Sequence, residues 1–145
     1  MKTEELMIGD WVMYEGHPYQ IRKLGIYGED RDGNDYPAVC IGKQNGIGLI
    51  VERNEIEPIL ITPVILEEIG FVLKPDGWLW CADDGNEYQN YIFIQFRRGG
   101  GDGFSVRKCE INFFNKALAV FRNIQYVHQL QHTMRICGIN KEIQI

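Results

Sequence analysis

Serine is almost missing from this chain: Ser105 is the only one in 145 residues. With no Gly-x-Ser-x-Gly turn, the nucleophile elbow of the serine hydrolases has no place here. The four cysteines, Cys40, Cys81, Cys109 and Cys137, are scattered and form no Cys-x-x-Cys pair, so no zinc ribbon is written into the spacing. They read as reduced, buried thiols of a cytosolic chain. Long apolar runs are absent as well. The most apolar stretch, residues 59–66, is broken by Pro63 and falls far short of the ~20 residues that span a bilayer. The opening MKTEELMIGDW places Glu4 and Glu5 where an export signal needs a basic start and an apolar run. A cytoplasmic location without membrane contact is therefore expected. Positive charge is also in short supply. Fifteen Lys and Arg face twenty Asp and Glu, a formal net charge of −5, which argues against a general nucleic-acid binder that must neutralise phosphates.

What is present suits a folded protein. Hydrophobic residues make up 45% and charged residues 24% of the chain, the balance of a globular domain able to bury a core. The charge is uneven. Residues 1–61 hold six basic and eleven acidic side chains, and residues 62–145 hold nine of each. The first part reads as short strands between turns. IGDWVMYEGHPYQIRKLG (8–25) is a hairpin turning at Glu15-Gly16-His17, GEDRDGND (28–35) is a solvated turn, and YPAVCIGK (36–43) and GIGLIVER (46–53) pair about Gln-Asn-Gly. EIEPI (55–59) closes the sheet. The opening GD-x-V and the later P-x-Q-I are similar to the start of SH3-like small barrels. The expectation is a small antiparallel β-barrel-like module over 1–58.

A seam follows. Thr62 is a good N-cap, Pro63 suits the first helical position and Gly70 is a natural stop, which predicts a helix over 62–70. Strands at FVLK, WLWCA, YIFIQFRR, FSVRKCEINFF and LAVF follow, with a hairpin over about 91–110. A helix over about 124–137 is closed by Gly138, and EIQI at the end suits one more short strand. Residues 62–145 thus read as a second module, an antiparallel sheet packed with a C-terminal helix, and the whole as α+β.

Four groups of residues bear on function. His128 and His132 lie one turn apart, beside an apolar stripe of Val127, Leu130, Met134 and Cys137. Two histidines at that spacing suit a metal, but Gln129 stands where the general base of His-Glu-x-x-His would be. They read as structural residues at the rim of the stripe, with a metal-dependent enzyme as the weaker alternative. Arg97, Arg98, Arg107 and Lys108 flank the Gly-rich GGGDG loop and form the candidate contact for an anion, nucleotide or nucleic acid. The loop lacks the lysine and hydroxyl of a phosphate-binding P-loop. Trp11, Tyr14, Tyr19, Tyr27 and Tyr36 form the candidate protein-binding surface, because their acidic surroundings favour a protein over nucleic acid. Trp78 and Trp80 share one strand face and read as core.

ELMIGDWV near the start, IEPILITPVILEEIGF in the middle and IQYVHQLQHTMRICGINKEI at the end resemble a family of small uncharacterised proteins of Bacteroides and related bacteria. These occur in prophages and other mobile elements. The resemblance touches all three parts of the chain and departs from the family at GGGDG, where a shorter turn is expected. It implies a bacterial cytoplasmic protein with no assigned activity, cofactor or site. The expectation is a non-enzymatic accessory protein that binds another protein and needs no cofactor, with nucleic-acid binding at the basic hairpin as the alternative.

Overall fold

The structure, a computed structural model, describes residues 5–42, 46–81, 91–96, 104–109, 117–139 and 142–145. The chain divides into two compact units, Met1–Ile59 and Leu60–Ile145.

The first unit holds β1 (Trp11–Tyr14), β2 (His17–Glu29), β3 (Asp35–Gly42), β4 (Leu49–Glu52) and β5 (Glu57–Pro58). They form one antiparallel sheet in the order β4-β3-β2-β1-β5. The β1–β2 turn is two residues long. Glu15 and Gly16 take φ of 47° and 75°, the left-handed pair that a two-residue hairpin requires to match the strand twist. His17 therefore opens β2 opposite Tyr14, one residue earlier than the sequence suggests. Among the described residues β4 and β5 do not pair, so the sheet stays open and the expected barrel-like module is not a closed barrel.

β2 runs for 13 residues, where the sequence suggests a strand ending near Gly25. Gly25 and Gly28 look like breakers, and neither breaks the strand. Gly25, at φ 67°, lies in a register shift between the pairs Lys23–Cys40 and Ile26–Ala38, and a second shift follows Ile21. Such bulges bend and twist a strand. The sheet buries Leu6, Val12, Ile21, Val39, Ile41, Val51 and Ile56 as one cluster, with Tyr14, Tyr19 and Leu24 packed against it. At Gly28 the ring of its cross-strand partner Tyr36 fills the space that a Cβ would need. Asp10 is fully buried, and its carboxylate accepts the Met7 amide at 2.7 Å. Its carbonyl accepts the Ile21 amide at 2.9 Å. Both bonds tie the entering chain to the sheet and offset part of the cost of burying a polar residue.

The second unit begins with α1 (Pro63–Glu68), capped by Thr62, whose hydroxyl accepts the Ile65 amide at 3.3 Å. Gly70, at φ 92°, ends it. The Gly70 amide donates to the Glu67 carbonyl and the Phe71 amide to the Leu66 carbonyl. This Schellman pattern brings a buried apolar residue back onto the last turn, here Phe71 toward Leu66. Next come β6 (Val72–Lys74), β7 (Gly77–Cys81), β8 (Tyr91–Phe96), β9 (Phe104–Cys109) and β10 (Ala117–Ile124). They pair in plain sequence order as an antiparallel meander. A bulge near the end of β10 holds Asn123 at φ 61°, a conformation that asparagine tolerates better than most residues.

The last helix, α2, spans Val127–Ile136. It starts later than 124 because residues through Ile124 still belong to β10 and Tyr126 is extended. Gly138, at φ 74°, closes it, with the Ile139 amide donating to the Met134 carbonyl and the Gly138 amide to that of Arg135. The expected strand at the end of the chain is not formed. Residues 142–145 are irregular, and Ile143 is instead a buried apolar residue. Two antiparallel sheets and a C-terminal helix make the protein mixed α and β. Among the described residues no helix is long and apolar enough to cross a membrane.

Candidate functional site

Strand alternation sorts the five aromatics of the N-terminal unit. Side chains at positions two apart share a face, as do cross-strand partners. Tyr14 therefore shares the face of Val12, and Tyr19, opposite Val12, shares it too. Val12 is fully buried, and the two tyrosines carry its face outward to the hairpin end, where each is half-buried. Their rings meet edge to face, 6.2 Å between centroids at 69°, a geometry that the ring quadrupoles favour. Trp11 belongs to the opposite face and is only 6% exposed, so it offers a partner no surface. Tyr36 is laid over Gly28, and Tyr27 stands 72% exposed opposite Pro37 at the far end of β2. Of the five, the fold brings together Tyr14 and Tyr19.

Carboxylates lie near Tyr14. Glu15 sits in the adjoining turn, whereas Glu57 of β5, opposite Met13, belongs to the other face. Glu55 precedes β5, and its carboxylate is fixed by accepting the Glu52 amide at 3.0 Å. The Tyr14 hydroxyl is held above the usual phenol range, first by partial burial and then by the negative charges of Glu15 and Glu55. Neither glutamate stands out in the sequence. The available signal for Glu15 is its place in a two-residue turn, where glycine, asparagine or aspartate is the usual choice. For Glu55 no local signal exists, since its approach to Tyr14 depends on tertiary structure.

Elsewhere the structure separates or encloses the candidates. Arg97 and Arg98 lie outside the described residues, as does the GGGDG loop. Arg107 and Lys108 are consecutive positions of β9, in register with Phe93 and Ile92, and their side chains lie outside the described set. Val127, Leu130, Met134 and Cys137 are all buried as the stripe predicts. His128 is not at the rim of that stripe. It is fully buried, in the first turn of α2. Tyr126 stacks on its imidazole at 5.7 Å, and His132 meets it edge-on at 5.9 Å. The chain also crosses at this turn, with Leu60 bridging Tyr126 and the Ile61 amide donating to the Gln125 carbonyl. Gln129 serves the helix start: its side-chain oxygen accepts the amides of Gln125 and Tyr126 at 2.9 and 3.2 Å. The Tyr126 amide is among the donors that the start of a helix leaves unsatisfied. Among the described residues no three His, Cys, Asp or Glu side chains are grouped to hold a metal ion. Cys40 and Cys137 are not joined in a disulfide. Trp78 is buried, and the side chain of Trp80 lies outside the described set.

No family model, curated protein or solved structure matches this chain.

Proposed function

We propose that the chain is a non-enzymatic, protein-binding accessory of a bacterial mobile element, working in the cytoplasm, with an SH3-like N-terminal unit as its docking module. The observation that carries this reading is the Tyr14–Tyr19 pair, half-buried at the open end of an apolar sheet face. Aromatic side chains that present large rigid area with a polar tip are the usual anchors of protein contacts. The strand order, in which the last strand returns to pair with the first, and the long bulged β2 support the SH3-like assignment. The acidic excess of residues 1–61 favours a protein partner over phosphate.

The test is capture of partners from the native host by the tagged chain, with half of the sample nuclease-treated. A stoichiometric protein that survives nuclease, and is lost when Tyr14 and Tyr19 are both changed to alanine, is the expected result. Recovery of nucleic acid, or partners that vanish with nuclease, moves the function to Arg97, Arg98, Arg107 and Lys108. Stoichiometric zinc in the purified protein, lost in His132→Ala, moves it to α2.

A further inference from the structure

The two outer edges of the first sheet differ. β5, the outer strand beside β1, is two residues long and consists of Glu57 and Pro58. A short strand, a charge and a proline are common means of stopping an edge from pairing with another chain. β4, the outer strand beside β3, is longer. The stretch GIGLIV (46–51), which leads into it and fills most of it, has no charge and no proline. Its Ile47, Leu49 and Ile50 are 97%, 44% and 55% exposed. We propose that this edge is a self-association site, at which β4 pairs antiparallel with β4 of a second copy of the chain. The site is separate from the tyrosine pair and does not rest on it.

Backbone direction fixes which groups the edge offers. The Arg53 amide donates to the Pro37 carbonyl at 3.0 Å, which continues the β3–β4 register, so Arg53 faces β3. Glu52 faces the other way. Its amide donates to the Glu55 carboxylate at 3.0 Å, and its carbonyl accepts the Glu55 amide at 3.1 Å. Backbone direction alternates along an antiparallel strand, so Ile50 also turns its amide and carbonyl away from β3. Gly48 lies opposite Gly42 in the same register, and a Cβ on Gly42 would stand 3.7 Å from the Gly48 Cα. Its backbone groups point outward by the same alternation. Glu55 thus closes the edge at Glu52, while among the described residues no strand lies beyond Gly48 and Ile50.

A two-fold axis at Leu49 satisfies both positions. Gly48 of each copy then faces Ile50 of the other, and each such pair exchanges both of its N–H···O bonds. Pairing stops at Glu52, whose groups Glu55 already holds. The side chains fit the same axis. Leu49 shares the face of Val51 and meets Leu49 of the second copy. Ile47, the most exposed residue of the stretch, comes opposite Val51, which is 3% exposed. The apolar face that runs out at β4 in one copy therefore continues into the other. On the reverse face Ile50 lies over Gly48 of the second copy, which has no side chain to obstruct it. Charge narrows where two copies can meet. Residues 1–61 carry six basic and eleven acidic side chains, so these units repel one another in general, and an uncharged edge is where that repulsion is least.

So short an interface belongs with weak, transient contacts, and a Kd of roughly 100 µM is expected. The test is sedimentation velocity of the full chain over concentrations bracketing that value, beside amide hydrogen exchange at the two extremes. A monomer–dimer equilibrium is expected, with the Gly48 and Ile50 amides exchanging more slowly at high concentration. Ile50→Lys puts a charge on the edge and should weaken the dimer by roughly tenfold or more. Ile47→Lys, at a side chain outside the strand that the fold leaves exposed, should weaken it as well and decides the matter if Ile50→Lys does not fold. A monomer at every concentration, species that grow beyond a dimer, a dimer that survives both lysine variants, or protection that appears without Gly48 and Ile50 would overturn the proposal.

Discussion

Among the described residues each unit carries five antiparallel strands, yet the two bury their apolar residues by different means. In the first unit the core cluster comes from the sheet and its flanking segments, with no α-helix among the described residues. The strands are shaped by backbone devices: a left-handed turn at Glu15-Gly16, a bulge at Gly25, a glycine under Tyr36 and a buried carboxylate at Asp10. In the second unit the strands follow one another in order, and helices contribute buried side chains: Leu66 from α1, and Val127, Leu130 and Met134 from α2. One unit is therefore specified largely by where its chain bends, the other by apolar volume at helical spacing. Perturbations of volume should weigh most on the second, and perturbations of φ, local sterics or one buried acidic side chain on the first.

The largest expected effect tests the volume side. Leu130 is fully buried, and Leu130→Ala should cost about 3 kcal/mol through lost burial and the cavity left behind, read from denaturant unfolding by circular dichroism. A loss under about 1 kcal/mol would mean that the site collapses freely and that α2 contributes little. Asp10→Ala comes next. It removes the carboxylate that accepts the Met7 amide and should cost about 2 kcal/mol, with faster hydrogen exchange at Met7 as the local signature. Gly28→Ala should cost about 1.5 kcal/mol, because the Tyr36 ring must move to admit a Cβ. Its φ is not in the left-handed region, so the cost is steric. Combining it with Tyr36→Ala should recover part of the loss in a double-mutant cycle. Additive losses would show that the ring was never the obstacle.

Glu15→Gly has the opposite sign. Relief of the left-handed strain should stabilise the hairpin by about 1 kcal/mol, read from denaturant unfolding; a destabilised variant would show that the Glu15 side chain contributes more to the turn than its backbone strain costs. The smallest effects are titrations. Asp30 is held below its ordinary 3.8 by hydrogen bonds, first from the Asn34 amide and then from the Asn34 side chain. Its stabilising contribution is present above 3.8 and lost as pH falls through the lower folded value. Tyr14, raised above 10.0, contributes fully below that pH and loses its contribution as pH rises through the higher folded value. Amide shifts of Asp32 and Asn34 on the acid side, and phenolate absorbance compared with Tyr14→Phe on the alkaline side, check both directions.

Much of the second unit was legible because helix signals are local. Thr62, Pro63, Gly70 and Gly138 mark helix ends through bonds made within one turn, and the stripe of Val127, Leu130, Met134 and Cys137 follows from the helical period alone. The strand segments were legible too, but not the length of β2, since glycine in a strand looks like an interruption unless its cross-strand neighbour is known. Tyr36 over Gly28 is such a neighbour. The burial of His128 was hidden for a related reason. By angle it lies beside the stripe, and it is the Tyr126 ring and the crossing at Leu60 that accompany its enclosure. The aromatic site was half legible. Alternation separates Trp11 from Tyr14 once β1 is recognised, but nothing nearby in the sequence announces that Glu55 stands close to Tyr14.

That last proximity has a kinetic side. Tyr14 and Tyr19 are joined by the tight β1–β2 turn, a local contact of the kind that forms within microseconds. Glu55 enters through the segment leading to β5, and β5 pairs with β1 across nearly the whole unit, Met13 with Glu57 and Val12 with Pro58. Contacts so distant along the chain carry the larger loop-closure cost and form late. On a ribosome the hairpin emerges first and the Glu55 carboxylate emerges last. A nascent chain would therefore display its tyrosine pair before Glu55 arrives beside Tyr14, and the Tyr14 phenol would report the moment at which the first unit has closed.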